Sequence, residues 1–230
     1  MKTSLELNKV VLLGRTLEEY SLCFALNLGD WKNKTVLDLA SGVSSFCVEA
    51  NEQGVEVIAF DPIYELSPHA IKERCEADLD FVAATIGNVV AYKWDFYQTP
   101  QRMREFRERA YRKFLPDYAG KKETRYVAGK LPRLPFRDGQ FTLTLVSYFL
   151  FVYEEQFDYE FHRESLKEMM RVTSGEVRIY PTVNFKGERA RFLEKMIRDD
   201  SFAQFEFEEI ATGFEFLRNS NFFLRVRRKI

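Results

Sequence analysis

Two periodicities share the chain. Short β-prone runs, Thr35-Val36-Leu37, Val55 to Phe60, Arg125-Tyr126-Val127, Phe141 to Val146 and Gly175 to Pro181, have the pattern of buried strands. Helical patterns lie between and around them. Thr16 to Asn27 opens with Thr16 as N-cap and carries Glu18 and Glu19 in its first turn. Further helices are expected over about Ser67 to Cys75, Gln101 to Lys113, Gln156 to Val172 and Gly187 to Arg198. Strands that alternate with helices predict a doubly wound parallel sheet. Phe205 to Ile210, Gly213 to Arg218 and Phe222 to Arg228 read as closing strands. The alternation at Phe214, Phe216 and then Phe222, Leu224, Val226 suits an antiparallel end. The expected fold is therefore one α/β domain over residues 1–230, with a seven-stranded, mostly parallel sheet whose last strand is antiparallel. Residues Asp80 to Val127 are more than one crossover helix needs, which places a helical insertion at about 80–124, before the third strand.

The most informative stretch follows the first strand. Asp38 ends it, and the small residues Ala40, Ser41, Gly42, Ser44 and Ser45 lead into an amphipathic run at Phe46 to Ala50. Ligands of open α/β sheets bind at the carboxyl ends of the strands, and small side chains let backbone N–H groups approach them. Asp61 ends the next strand, 23 residues after Asp38, so adjacent parallel strands would present two carboxylates at one sheet edge. An acid at the second strand end can grip ribose hydroxyls. A dinucleotide site instead opens with glycines and sets its phosphates on the helix N-terminus. Asp38 would repel a pyrophosphate but suits a cationic ligand. That points to S-adenosylmethionine, with its ammonium and sulfonium groups.

Asp38-Leu-Ala-Ser-Gly-Val-Ser, Asp61 and the segment Leu134-Pro135-Phe136-Arg137-Asp138-Gly139-Gln140-Phe141-Thr142-Leu143 resemble the class I S-adenosylmethionine-dependent methyltransferases, roughly from Val11 to the C-terminus. Of the family's usual acid-x-Gly-x-Gly-x-Gly loop only the middle glycine is present, as Gly42, with Ala40 and Ser44 in the outer places. The resemblance implies that Asp38 orients the methionine ammonium, that the backbone of Ala40, Ser41 and Gly42 hugs the methionine moiety, and that Asp61 clasps the ribose. Pro62, Ile63 and Tyr64 follow the second acid, where the family covers the adenine. The usual adenine-reading aspartate is replaced by Lys130, which cannot accept a hydrogen bond, leaving the backbone of Gly129 to Leu131 for that task. The helix at Thr16 closes over the methionine end in such proteins, so Arg15 and Tyr20 could face the site; Tyr20 could equally pack on the sheet edge. Ser147 and Tyr148, after the fourth strand, lie where methyl group and acceptor meet. Tyr148 is the first candidate on the acceptor side, with packing as its other reading. His162, among Phe161, Leu166 and Met169, is either a base or a packing residue; His69 reads as a surface histidine. A general base is not required, because positioning alone can accelerate an in-line displacement.

Composition narrows the picture further. Hydrophobic residues make up 46% and charged residues 30% of the chain, as in soluble globular proteins. A net charge of −1 gives no global attraction to nucleic acid or acidic membranes. No apolar run is long enough for a membrane span, and Met1 to Glu6 lacks a signal-peptide apolar region. Cys23, Cys47 and Cys75 lack metal-ligand spacing, so no metal is expected and a reduced, cytoplasmic setting is. The run Gln101 to Lys113 holds six basic and two acidic residues, with Met103, Phe106, Ala110 and Phe114 on one face. It reads as a solvated face on an insertion, as a cap that recognises an anionic or aromatic acceptor, or as an RNA contact. The expected function is methyl transfer from S-adenosylmethionine, yielding S-adenosylhomocysteine, to a small molecule, by a monomer or homodimer. The alternatives are a cofactor-binding module without turnover, or an RNA methyltransferase using residues 101–113.

Overall fold

A computed structural model describes residues 10–229. The Met1 to Glu6 stretch, read above as lacking a signal sequence, lies outside the described residues. Strands β1 (Thr35–Leu39), β2 (Glu56–Phe60), β3 (Tyr126–Val127), β4 (Phe141–Ser147), β5 (Thr173–Tyr180), β6 (Phe205–Ala211) and β7 (Phe222–Arg228) form one sheet. Its order is β3-β2-β1-β4-β5-β7-β6. The first five strands are parallel, and β7 runs antiparallel to both β5 and β6. This is the expected seven-stranded arrangement. Gly213 to Arg218 is a correction: its residues form a loop that meets Tyr92 through one isolated bridge at Leu217. Thr212 Oγ1 accepts from the Phe214 N–H at 3.2 Å and turns the chain there.

Helices α1 (Leu17–Cys23), α2 (Phe46–Glu52), α3 (Pro68–Ile86) and α4 (Pro100–Arg125) pack on one face, and α5 (Tyr159–Val172) and α6 (Leu193–Ile197) on the other. Alternate strand positions feed the two cores: Val36, Val57 and Leu143 face α1–α4, while Leu37, Leu39 and Val177 face α5 and α6. Several helix ends differ from the periodicity. α1 stops at Cys23 because Ala25 turns left-handed at φ 48°. α3 runs to Ile86, eleven residues beyond Cys75, since Ile71, Cys75, Leu79, Val82 and Ile86 continue one buried stripe. α6 is short because Gly187 (φ 74°) and a bridge between Val183 and Arg189 occupy the chain before it.

Two helices, α3 and α4, lie between β2 and β3, and α4 packs along α3 and α2. Most of the basic residues over 101–113 are matched by carboxylates from other elements and from the helix itself. Arg104 pairs with Asp80 and Glu108, Arg109 with Glu18, Arg112 with Glu108 and Lys113 with Glu52. Arg107 points inward and reaches Glu19 at 2.5 Å, both side chains almost fully buried. Glu19 also accepts from the Thr16 N–H (2.9 Å) and hydroxyl (3.0 Å), and from the Tyr97 hydroxyl. Burial works to raise the Glu19 carboxyl, but Arg107 and Arg15 hold it below its ordinary value. The pair therefore pins the capping box of α1 to α4. Removing one partner strands a buried charge, so Arg107→Leu should destabilise the protein by about 3–5 kcal/mol. Denaturant unfolding checks this, with the Glu19→Leu, Arg107→Leu double variant expected to recover much of the loss.

Candidate active site

A cavity of about 480 Å³ opens at the carboxyl edge of β1, β2 and β4, within the range of small-molecule sites. The parallel register sets Asp38 opposite Ala59 and Leu39 opposite Phe60, so β1 and β2 end together and Asp61 follows at once. Asp61 lies on the cavity wall, 8% exposed. Its Oδ2 accepts from the Gly42 N–H at 3.0 Å and its Oδ1 from the Ile63 N–H at 2.9 Å. One lone pair on each oxygen stays available for a ligand. Burial pushes the carboxyl up to about 6, against the pull of those two N–H groups.

Asp38 sits behind the wall and does not line the cavity. It is fully buried; its Oδ1 accepts from the Tyr20 hydroxyl at 2.9 Å and its Oδ2 from the Ser41 hydroxyl at 2.6 Å. Burial raises its carboxyl to about 7, while both hydroxyls pull the other way and Asp61 adds a smaller upward push. Tyr20 and Ser41 do line the cavity, so Asp38 meets a ligand through the dipoles of two hydroxyls. Tyr20 stacks on Phe46 of α2, 4.4 Å between centroids.

The loop after β1 is left-handed at two positions, only one of which is a glycine. Ala40 is left-handed at φ 51° and Gly42 at φ 56°. Ser44 has taken other work: its hydroxyl donates to the Arg15 carbonyl at 2.6 Å and ties residues 10–15 over the site. That segment is also held by Leu12 N–H to Asp78 (2.9 Å), Arg74 to the Val10 carbonyl (3.0 Å) and Val11 N–H to the Tyr153 hydroxyl (3.3 Å). On the far side Pro62, Ile63, exposed Lys130 and Leu131 line the cavity. Gly129 is required there, because a Cβ would lie 2.6 Å from the Phe60 ring. Tyr64 stands outside, its hydroxyl donating to the Gly42 carbonyl at 2.9 Å and its ring packed against Phe114, Tyr118 and Tyr126.

Ser147, Tyr148 and Arg15 form the remaining wall. Tyr148 is left-handed at φ 50°, a strained state for an aromatic residue. The Arg15 guanidinium carbon lies 3.5 Å from the Tyr148 ring centroid. Arg15 Nε, Ser147 Oγ and Tyr148 Oη are all buried without a hydrogen-bond partner. Burial pushes the Tyr148 phenol up to about 12, so it stays protonated near neutral pH. His162 is set apart from the cavity. It is fully buried on the inner face of α5, with Nδ1 2.7 Å from the Asp158 carbonyl and Nε2 2.8 Å from the Leu150 carbonyl. Both nitrogens are committed to main chain, which fits the packing reading of this residue. His69 is exposed beside Glu73.

This strand order, with β7 antiparallel beside five parallel strands, is the doubly wound α/β arrangement expected from the sequence. The chain belongs to the same family as the uncharacterized protein MJ0045 of Methanocaldococcus jannaschii, being 38% identical over 226 residues, 97% of this chain and 99% of that one. No protein-family model matches it. Among solved structures it is similar to the magnesium protoporphyrin IX methyltransferase of Synechocystis PCC 6803 with bound SAM, at 9% identity and a TM-score of 0.49 over 93% of this chain and 78% of that one. A TehB-like SAM-dependent methyltransferase of Corynebacterium glutamicum gives 15%, 0.47, 93% and 98% for the same quantities. One from Methanosarcina mazei gives 13%, 0.46, 88% and 97%.

Two consequences follow for stability. The carboxyls of Asp38 and Asp61 are raised by folding, so each contributes stability that is complete below the ordinary aspartate range and lost as pH rises through about 6 to 7. Asp38→Asn should remove the Asp38 share, making the variant less pH-sensitive than wild type between pH 5 and 8; denaturant midpoints across that window check it. Ala40→Gly should relieve left-handed strain and stabilise the ligand-free protein by about 1 kcal/mol, read as a higher melting temperature.

Proposed function

We propose that this protein is an S-adenosylmethionine-dependent methyltransferase acting on a small molecule. The observation that carries the reading is Asp61. It is a buried carboxylate on the cavity wall, fixed by two backbone N–H groups and offering two further acceptor sites, as a ribose diol requires. The cavity also matches the group chemically. Tyr20 and Ser41, polarised by Asp38, suit an ammonium, and Ile63 and Leu131 supply apolar surface for a base. Bound there, the cofactor would supply an electrophilic methyl group on a sulfonium. The chain's own part is to hold the ribose at Asp61, to receive the methionine end at the loop of residues 40–42, and to exclude water with residues 10–15 and Phe149, Phe157 and Phe161. Tyr148 donates a hydrogen bond at the acceptor side.

An RNA acceptor is disfavoured by α4, where Arg104, Arg107, Arg109, Arg112 and Lys113 already carry carboxylate partners. Among the described residues no helix is long and apolar enough to cross a membrane. Calorimetric titration with S-adenosylmethionine and S-adenosylhomocysteine tests the reading. Wild type should bind both, and Asp61→Ala should bind at least roughly tenfold more weakly, the scale of a lost hydrogen bond to a charged group. Equal affinity in the variant would remove the ribose assignment.

A further inference from the structure

A second cavity, of about 60 Å³, lies behind Arg15 and Tyr148. It shares Val11, Leu13, Arg15, Tyr148 and Tyr153 with the larger one, so the two chambers meet at the Arg15–Tyr148 stack. Its inner wall comes partly from the insertion, through Met103 and Arg107 of α4. Two guanidinium groups line this chamber and no carboxylate does. The nearest acid, Glu19, is spent: Arg107, Tyr97 and Thr16 occupy both of its oxygens. Arg15 has no ion-pair partner among the described residues. The one hydrogen bond of its side chain is a 3.5 Å contact from a terminal nitrogen to the Leu13 carbonyl, and its Nε is buried and unpartnered. Arg15 is half-buried where the two cavities meet, so its charge is open to an anion arriving from the larger one. The guanidinium carbon lies 3.5 Å from the Tyr148 ring centroid, which leaves its N–H groups to donate to a planar carboxylate.

We propose that this chamber is the anchor of the methyl acceptor, and that the acceptor is a small organic acid. Its carboxylate pairs with Arg15 at the mouth of the chamber, which has room for that group alone, and its apolar body and reacting end lie in the larger cavity, toward Phe149, Phe157 and Ser147. The proposal rests on the methyl-transfer reading for the word acceptor, but the anion site stands on the charge imbalance alone. It also gives the insertion a part in the site, since α4 closes the chamber and Arg107 uses up the carboxylate that would otherwise neutralise Arg15.

The test is calorimetric titration of the full-length protein, saturated with S-adenosylhomocysteine, with benzoate, phenylacetate and hexanoate against their primary amides. Acids should bind roughly 10- to 100-fold more tightly than the matching amides, the range of charge-assisted hydrogen bonds. Arg15→Gln should abolish that preference. Arg15→Lys, which keeps the charge without the planar fork, should retain only part of the preference, and it decides the matter alone if Arg15→Gln does not fold. Equal affinity for acids and amides in wild type, no binding of either, or an unaltered preference in both variants overturns the proposal. So does a loss of S-adenosylhomocysteine affinity in Arg15→Gln with methylthioadenosine binding intact, which would assign Arg15 to the cofactor's own carboxylate. If wild type ignores S-adenosylhomocysteine but still selects acids through Arg15, the anion site holds and the methyl-transfer reading falls.

Discussion

One carboxylate, Asp61, holds two strand ends in register. Its two oxygens accept from Gly42 and Ile63, which belong to loops after different strands, so the loop of β1 and the turn of β2 cannot shift independently. The Asp61 N–H in turn donates to the Val127 carbonyl at the end of β3. Three neighbouring strands thus finish at one fixed point, and the cavity floor is the space between their ends. Tyr64 supports the same point from beneath by donating to the Gly42 carbonyl. The left-handed backbone at Ala40 and Gly42 is tolerated because these bonds over-determine it.

The opposite wall depends on a different kind of contact. Residues 10–15 have no secondary structure of their own, yet they make hydrogen bonds to α3, to Tyr153 and to the loop before α2. The Glu19–Arg107 pair adds a buried link between the first helix and the insertion. In this protein the insertion before β3 braces the start of the chain, and the start of the chain forms the wall where Arg15 and Tyr148 stack.

What could be read from the sequence follows from these two kinds of contact. The acids at 38 and 61 were legible because a strand, an acid and a turn are consecutive in the chain, and one βαβ unit fixes the spacing. The sheet and its antiparallel end were legible from period and order. The displacement of Asp38 behind Tyr20 and Ser41 was not, since it depends on a contact across 18 residues. The same holds for Arg107 and Glu19, 88 residues apart, and for the work of Ser44 in anchoring residues 10–15. Such pairings leave no periodic trace. Gly213 to Arg218 shows the converse: its alternation is genuine, but Phe214 and Phe216 serve a loop packed on Tyr97 rather than a strand. His162 shows why side-chain type alone is a weak guide, because the structure spends both ring nitrogens on carbonyl groups.

The buried position of the two aspartates has a consequence for proton traffic. Without ligand, burial favours their neutral forms. A ligand that offers hydroxyl donors or a positive charge favours their anions, so its arrival must expel protons below about pH 7. The enthalpy of binding will then depend on the ionisation enthalpy of the buffer, and affinity will climb with pH over the range in which the empty fold weakens. Folding and ligand capture therefore compete for the same protons, and the occupied protein is the form in which that competition is resolved.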